Sequence, residues 1–326
     1  MRMPSFRHAG CLFLAGIGCL VTGCKPPAPQ PFEIQGQPIE DKDLSAIVVG
    51  PNGVGILAAD EGATIQTVRL SDGARAGRIS GNIPLDPEDP EADFEGAAAM
   101  DGWFYVTGSH GVAKKKGEYQ EPRARVYRFQ LTDTHSAPTS VQQTTLTPLL
   151  EKSEVLAPFH KKPLQARGIN IEGLAARDGD LYFGFRAPNL EGNAFVLRVN
   201  ADALFADPDT AEGRLYRLPV GRGLGIRAIE SYGDGFLFIA GNAGSEPSKR
   251  HPEALDFDKN RPSELFYWNG GEKPPVRLMT LPPNGKGKEE GLLVLPTKDG
   301  APREMLVVYD GIAGGGTVRL PIPSIP

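Results

Sequence analysis

From Asp43 onward the apolar positions fall in short runs broken by Asp-Gly, Asn-Gly and Gly-Gly pairs. Such pairs accept the backbone of tight turns, so the pattern predicts antiparallel hairpins. Only "LTPLLEKSEV" and "LFADPDTAEG" have room for a helical turn or two. The hairpins resemble one another. "DLSAIVVGPNGVGILAADEG" begins at Asp43, "DFEGAAAMDGWFYVTGSHG" at Asp93 and "NIEGLAARDGDLYFGFRAP" at Asn170. "GIRAIESYGDGFLFIAGN" begins at Gly225 and "KEEGLLVLPTKDGAPREMLVVYDG" at Lys288. Each reads as a strand, a Gly-containing turn and a second strand. Most are followed by two further candidates, as in "AFVLRVN" then "RLYRLPV".

The equivalent third positions are Ser45, Glu95, Glu172, Arg227 and Glu290, which by subtraction of their numbers lie 50, 77, 55 and 63 residues apart. That interval suits a four-stranded blade with its loops. A blade buries both faces only against neighbours, and closing the blades into a ring satisfies all of them. The expected fold is therefore an all-β β-propeller of five blades, with six or seven as the alternatives. The last module lacks a strand, since only "GTVRLPIP" follows "EMLVVYDG". "PFEIQG" near Phe32 is expected to supply it, so that an N-terminal strand closes the ring. Pro321 and Pro323 suit an edge strand, where a missing donor costs little.

The first residues break this pattern. "MRMPSFRH" carries Arg2 and Arg7, and the apolar "AGCLFLAGIGCL" follows. This is the length of a signal peptide and too short to span a bilayer. It stops at "VTGC", Val21 to Cys24, which resembles a bacterial lipobox ending on the cysteine that receives lipid. The expectation is a lipoprotein signal peptide over 1–23, a Pro-rich tether over 24–31 and one propeller domain over 32–326. Lipidation at Cys24 would make the membrane a partner, several acyl chains giving a firm anchor. Lys25 after the cysteine resembles outer-membrane sorting, which places the protein in the cell envelope, at the outer membrane and facing the periplasm. With Cys11 and Cys19 removed, Cys24 has no mate for an internal disulfide. A net charge of -5 gives no reason to expect nucleic acid.

In a propeller the start of the inner strand and the end of the second lie at one rim. Glu172 and Arg186 are thus expected together there, with Glu95 beside "GSHG". The long irregular segments fall at the same rim, including "VAKKKGEYQEPRA", "PLDPEDPEA", "EKSEVLAPFHKKPLQARG" and "GNAGSEPSKRHPEALDFDKNRPS". Loops on a rigid scaffold are where sites usually sit. The candidate ligand-binding rim is Glu95, Ser109, His110, Glu172, Arg186, Arg227 and Glu290. Asp93, Glu95, Glu172 and Glu290 could hold a hard cation such as calcium, share a proton, or pair with arginines to keep the blades in register. Arg227 in the same ring favours the last. His110 is a candidate base and Ser109 a candidate nucleophile, although neighbours on a strand point apart. Arg186 either receives an anionic group, steered by Lys114 to Lys116, or pairs with Glu172.

"NIEGLA…DGDLYFGFRAP…GNAFVLRV", "DFEGAA…FYVTGSHG" and "RVYRF" together resemble bacterial domain-of-unknown-function family 3616, over nearly all of the chain after the tether. The Asp-x-Glu-Gly start is more weakly similar to the phytase-like propellers and their esterase-like relatives. The first resemblance implies the propeller and no reaction. Two functions are expected in consequence. One is an anchored envelope lipoprotein that binds a small-molecule or protein partner at its rim. The other is a phosphoester or ester hydrolase of phytase-like type that uses calcium.

Overall fold

The computed structural model describes residues 28–39, 42–50, 53–71, 75–85, 92–113, 117–135, 137–253, 255–297 and 302–325. The signal peptide, Cys24 and Lys114 to Lys116 lie outside the described residues. In chain order, two short strands, β1 (Gln30–Pro31) and β2 (Glu33–Gln35), precede the repeats. The first blade is β3 (Leu44–Val49), β4 (Val54–Ala59), β5 (Thr64–Leu70) and β6 (Ala76–Pro84). The second is β7 (Phe94–Met100), β8 (Trp103–Gly108), β9 (Arg125–Gln130) and β10 (Thr139–Thr145), followed by helix α1 (Thr147–Lys152). The third is β11 (Asn170–Arg177), β12 (Asp180–Leu190), β13 (Asn193–Asn200), helix α2 (Ala201–Ala206) and β14 (Gly213–Pro219). The fourth is β15 (Leu224–Tyr232), β16 (Gly235–Asn242), β17 (Glu264–Trp268) and β18 (Val276–Thr280). The fifth is β19 (Lys288–Val294), β20 (Glu304–Asp310) and β21 (Val318–Pro321).

These strands form five antiparallel meanders, one from each repeated module. The inner strands β3, β7, β11, β15 and β19 touch in cyclic order, with β19 returning to β3. The protein is a five-bladed β-propeller. Its apolar core is divided among the five seams between blades. Phe94, Phe104 and Phe129 meet Ile56 and Ile65 at the seam of the first and second blades. Phe183, Phe185 and Phe195 fill the next seam, Phe236, Phe238 and Trp268 the third, and Leu306 with Leu44 and Leu57 the closing one. Inner strands are buried on both faces and so read as continuous apolar runs. Outer strands such as β10, "TSVQQTT", face water and are polar.

The closing seam differs from the others because no direct chain connection crosses it. A strap made from the first described residues does so instead. β1 pairs antiparallel with β21, Gln30 opposite Arg319, and completes the fifth blade. β2 then pairs parallel with β6 as a fifth strand of the first blade. "PFEIQG" is therefore shared between two blades rather than given wholly to the last. Phe32 sits at the crossing, only 4% exposed, wedged among Leu44, Val68, Leu306 and Val308. Its N–H donates to the Thr317 carbonyl at 2.9 Å. Helix α1 falls within "LTPLLEKSEV", whereas α2 starts three residues before "LFADPDTAEG" and overlaps it only over Leu204 to Ala206. Among the described residues, no helix is long and apolar enough to cross a membrane.

A candidate site at the channel neck

The pairing register of every inner hairpin slips by one residue near its start. Leu44 pairs with Ala59 and Ala46 with Ala58, so Ser45 is extra. The same two-against-one bulge isolates Glu95, Glu172, Arg227 and Glu290. A bulge bends its strand and re-aims a side chain, and here it turns one residue per blade toward the axis. Gly96 and Gly173 follow two of these acids because the next inner strand crosses close by. A Cβ on Gly96 would stand 2.9 Å from Leu174 Cβ, and one on Gly173 would stand 2.9 Å from Ile229 Cγ2. The Glu-Gly pair is thus one feature: an acid directed into the channel, then a residue small enough for the seam.

In the neck the carboxylates of Glu95, Glu172 and Glu290 offer oxygens within 4.8 Å of one another. Arg227, 3% exposed, lies among them with Nε 3.0 Å from Glu172 and Nη2 against Glu290. Arg186 approaches Glu172 from the rim, Nη1 to Oε1 at 2.7 Å. Ser45 donates to the Phe94 carbonyl. Burial and the neighbouring Arg186 charge push the Arg227 guanidinium below its ordinary range. Glu95 differs from its companions. No described residue hydrogen-bonds or ion-pairs with it, and it keeps some surface toward the channel although protein encloses it all round. Burial, and after it the charges of Glu172, Asp93 and Asp60, raise its carboxyl well above the usual range. The free space among these side chains is about 10 Å³, close to the smallest that holds one water.

The register that isolates the first ring also defines a second, one step nearer the mouth. The residues following the partners Ala59, Gly108, Phe185, Ala240 and Tyr309 are Asp60, Ser109, Arg186, Gly241 and Asp310. Gly241 leaves room for the Arg227 stem, whose Cγ would meet its Cβ at 3.1 Å. Asp60 and Asp310 were not among the expected site residues. The signal was available, because "AADEG" and "VVYDG" end their hairpins where "FGFRAP" carries Arg186. Burial raises the Asp60 carboxyl to about 7, helped by Asp93, Asp310, Asp43 and Glu61. Several acids thus gather at the mouth over the first, second and fifth blades, of which Asp93 pairs with Arg123 and Asp310 with Lys288.

The remaining candidates are engaged in holding the scaffold. Asp93 is not part of the carboxylate cluster. Its φ of 51° and the bulge after it break the two-residue alternation that would have aligned it with Glu95. It pairs with Arg123 at 2.7 Å, and burial lifts its carboxyl to about 6 against the pull of that arginine. Ser109 Oγ accepts from the Gly111 N–H at 3.1 Å. His110 is fully buried, with Nδ1 3.1 Å from the Gly108 carbonyl and Nε2 accepting from the Leu146 N–H at 3.3 Å. Burial lowers its pKa to about 4, so at neutral pH it is an uncharged tie with neither nitrogen free to act as a base. Arg186 also donates to the Asn242 and Gly244 carbonyls, at 3.1 and 2.8 Å. Three of its five N–H groups, one on each nitrogen, are thus committed to the scaffold.

The long loops do gather at the mouth end, because the second-to-third and fourth-to-next connections all lie there. Two of them are tied together: Arg167 to Asp256 at 2.6 Å, and the Leu255 N–H to the Gln165 carbonyl at 3.2 Å. A larger cavity of about 240 Å³ lies far from this chemistry, at the outer edge of the first and second blades, lined by Thr67, Asn82, Thr134 and His135. Nothing in the sequence pattern marked it.

A family model described as protein of unknown function, DUF3616, matches residues 43–136 and 125–317. No curated protein matches the chain. Among solved structures, a family-43 glycoside hydrolase, a β-1,3-galactosidase, is 12% identical at a TM-score of 0.50, covering 92% of this chain and 59% of its own. The tail fibre of a Staphylococcus aureus phage, P68, is 10% identical at 0.46, covering 91% and 52%. A virginiamycin B lyase from Staphylococcus aureus is 11% identical at 0.39, covering 88% and 68%. At such identities the likeness extends to the fold alone. The weaker likeness to phytase-like propellers is not confirmed.

Proposed function

The chain belongs to the DUF3616 family, to which no reaction is assigned, and from the geometry of the rim we propose a cell-envelope lipoprotein that binds a positively charged ligand or partner there. Cys24 would carry the anchor and the Pro-rich tether would hold the propeller clear of the outer membrane on its periplasmic side. The observation that carries the reading is the acidic mouth, where burial opposes the ionisation of Asp60 and the nearby charges of Asp93, Asp310, Asp43 and Glu61 add to it. A concave acidic opening attracts cations and repels anions. His110, buried with both ring nitrogens tied to backbone, is not placed to serve as the base that acyl transfer would need.

Two measurements test it. The Cys24→Ser variant should leave the membrane fraction and remain soluble, and continued membrane association would refute the anchor. A chain starting at Lys25 should bind tetralysine or spermidine with an affinity that falls with salt and falls again in Asp60→Asn. Preference for tetraglutamate would overturn the rim reading. One observation favours a second reading, a calcium-using phosphoester or ester hydrolase: three carboxylates converge within 4.8 Å. Turnover of p-nitrophenyl phosphate or acetate that needs calcium and is lost in Glu95→Gln would replace the first reading with this one.

A further inference from the structure

We propose that the channel neck is a binding site for one calcium ion, formed by Glu95, Glu172 and Glu290, which ties the second, third and fifth blades together. The site goes beyond the rim reading and does not depend on it. Three carboxylates alone would not carry the proposal, since acids often cluster to no purpose. A second observation points to a ligand. Glu290 is only 7% exposed, and its Oε2 is sealed from solvent with no hydrogen-bond partner, while Oε1 is held by Arg227. Glu95, in the same neck, has no partner at either oxygen among the described residues. A buried charged oxygen left bare is costly, so native structures fill such a position with a donor, a water or an ion.

Charge and size then select the occupant. Glu95, Glu172 and Glu290 bring three carboxylates against the guanidinium groups of Arg186 and Arg227, an excess of acid in the neck that a cation would balance. All three oxygens lie within 4.8 Å of one another, a spread that one ion can bridge. Calcium, with its flexible geometry, tolerates a partly built ligand set better than magnesium, which demands a near-ideal octahedron and dehydrates reluctantly. Free space of about 10 Å³ admits a single ion or water and no organic substrate. Waters from the mouth would complete the six to eight oxygens that calcium prefers. Because the ligands come from blades far apart in sequence, occupancy would stabilise the closed ring.

The test uses the chain from Lys25 onward, stripped with EDTA and dialysed. Calcium chloride should raise the melting temperature by about 4 °C at a hundredfold excess over Kd, and magnesium chloride by less. Equilibrium dialysis should find one calcium per chain. Glu95→Gln, which breaks no ion pair and so should fold, should abolish both effects. If that variant does not fold, the dialysis of the unmodified chain decides alone. Failure to bind calcium at about 10 mM would overturn the proposal and leave a proton as the neutralising species. An undiminished calcium response in folded Glu95→Gln would overturn it equally, and an equal magnesium response would overturn the selectivity.

Discussion

Arg227→Met in metal-free buffer isolates what the neck arginine contributes. Methionine keeps most of the aliphatic stem beside Gly241 and removes only the guanidinium. Two carboxylates lose a contact, but unequally. Glu172 retains Arg186 at 2.7 Å, whereas Glu290 loses the one ion pair it makes among the described residues. The cost is therefore that of one orphaned buried charge, about 3–5 kcal/mol, rather than two. With an unfolding entropy of about 2.1 cal/mol/K per residue over roughly 295 residues, the melting temperature should fall by about 5–8 °C. Glu290→Gln added to Arg227→Met removes the orphan, and the double variant should recover about 1–3 kcal/mol of the loss. Calorimetry on the three variants reads both quantities. A single variant that melts within about 1 °C of the parent, or two substitutions that simply add, would refute the claim that the arginine compensates a buried carboxylate.

Deleting residues through Gly36 removes β1, Phe32 and β2 and should lower the melting temperature, whereas deleting only Lys25 to Pro29 should not. Equal values for the two truncations would remove the strap from the account of closure. Asp60→Asn should stabilise the fold near pH 8 and have no effect near pH 4. The folded carboxyl titrates at about 7 and the unfolded one near 3.8, so wild-type stability is lost as pH rises between them, and the variant escapes that loss. His110 acts with the opposite sign. Its folded pKa of about 4 lies below the ordinary 6.5, so the unfolded chain binds the extra proton and stability falls as pH drops from 6.5 toward 4. The contribution is about 3 kcal/mol at the acid end, and a His110→Gln variant should show a flatter melting profile over that window. Arg186→Met should destabilise the fold through its lost carbonyl and Glu172 contacts without weakening tetralysine binding.

The five hairpins, their blade-sized spacing and the rim shared by Glu172 and Arg186 were legible along the chain. Those features follow from local rules: a period of two in the strands, turn dipeptides, and an antiparallel return that brings the ends of a hairpin to one height. Even the neck ring was visible as an aligned third position, because the bulge that creates it recurs with a small residue behind it. What the alignment does not contain is which partner each charge finds. Arg227 meets Glu290 from 63 residues away by subtraction, and only the packing of the fourth inner strand against the fifth brings them together. Tertiary packing likewise takes up Arg186 on two carbonyls of the fourth blade and seals both nitrogens of His110. It also divides "PFEIQG" between two blades instead of one, since a strap across the seam buries Phe32 where a single outer strand would leave it in water. Local pattern determines the strands and which way their side chains face. The ionic state and occupation of those side chains depend on distances between blades, and those exist only once the ring is closed.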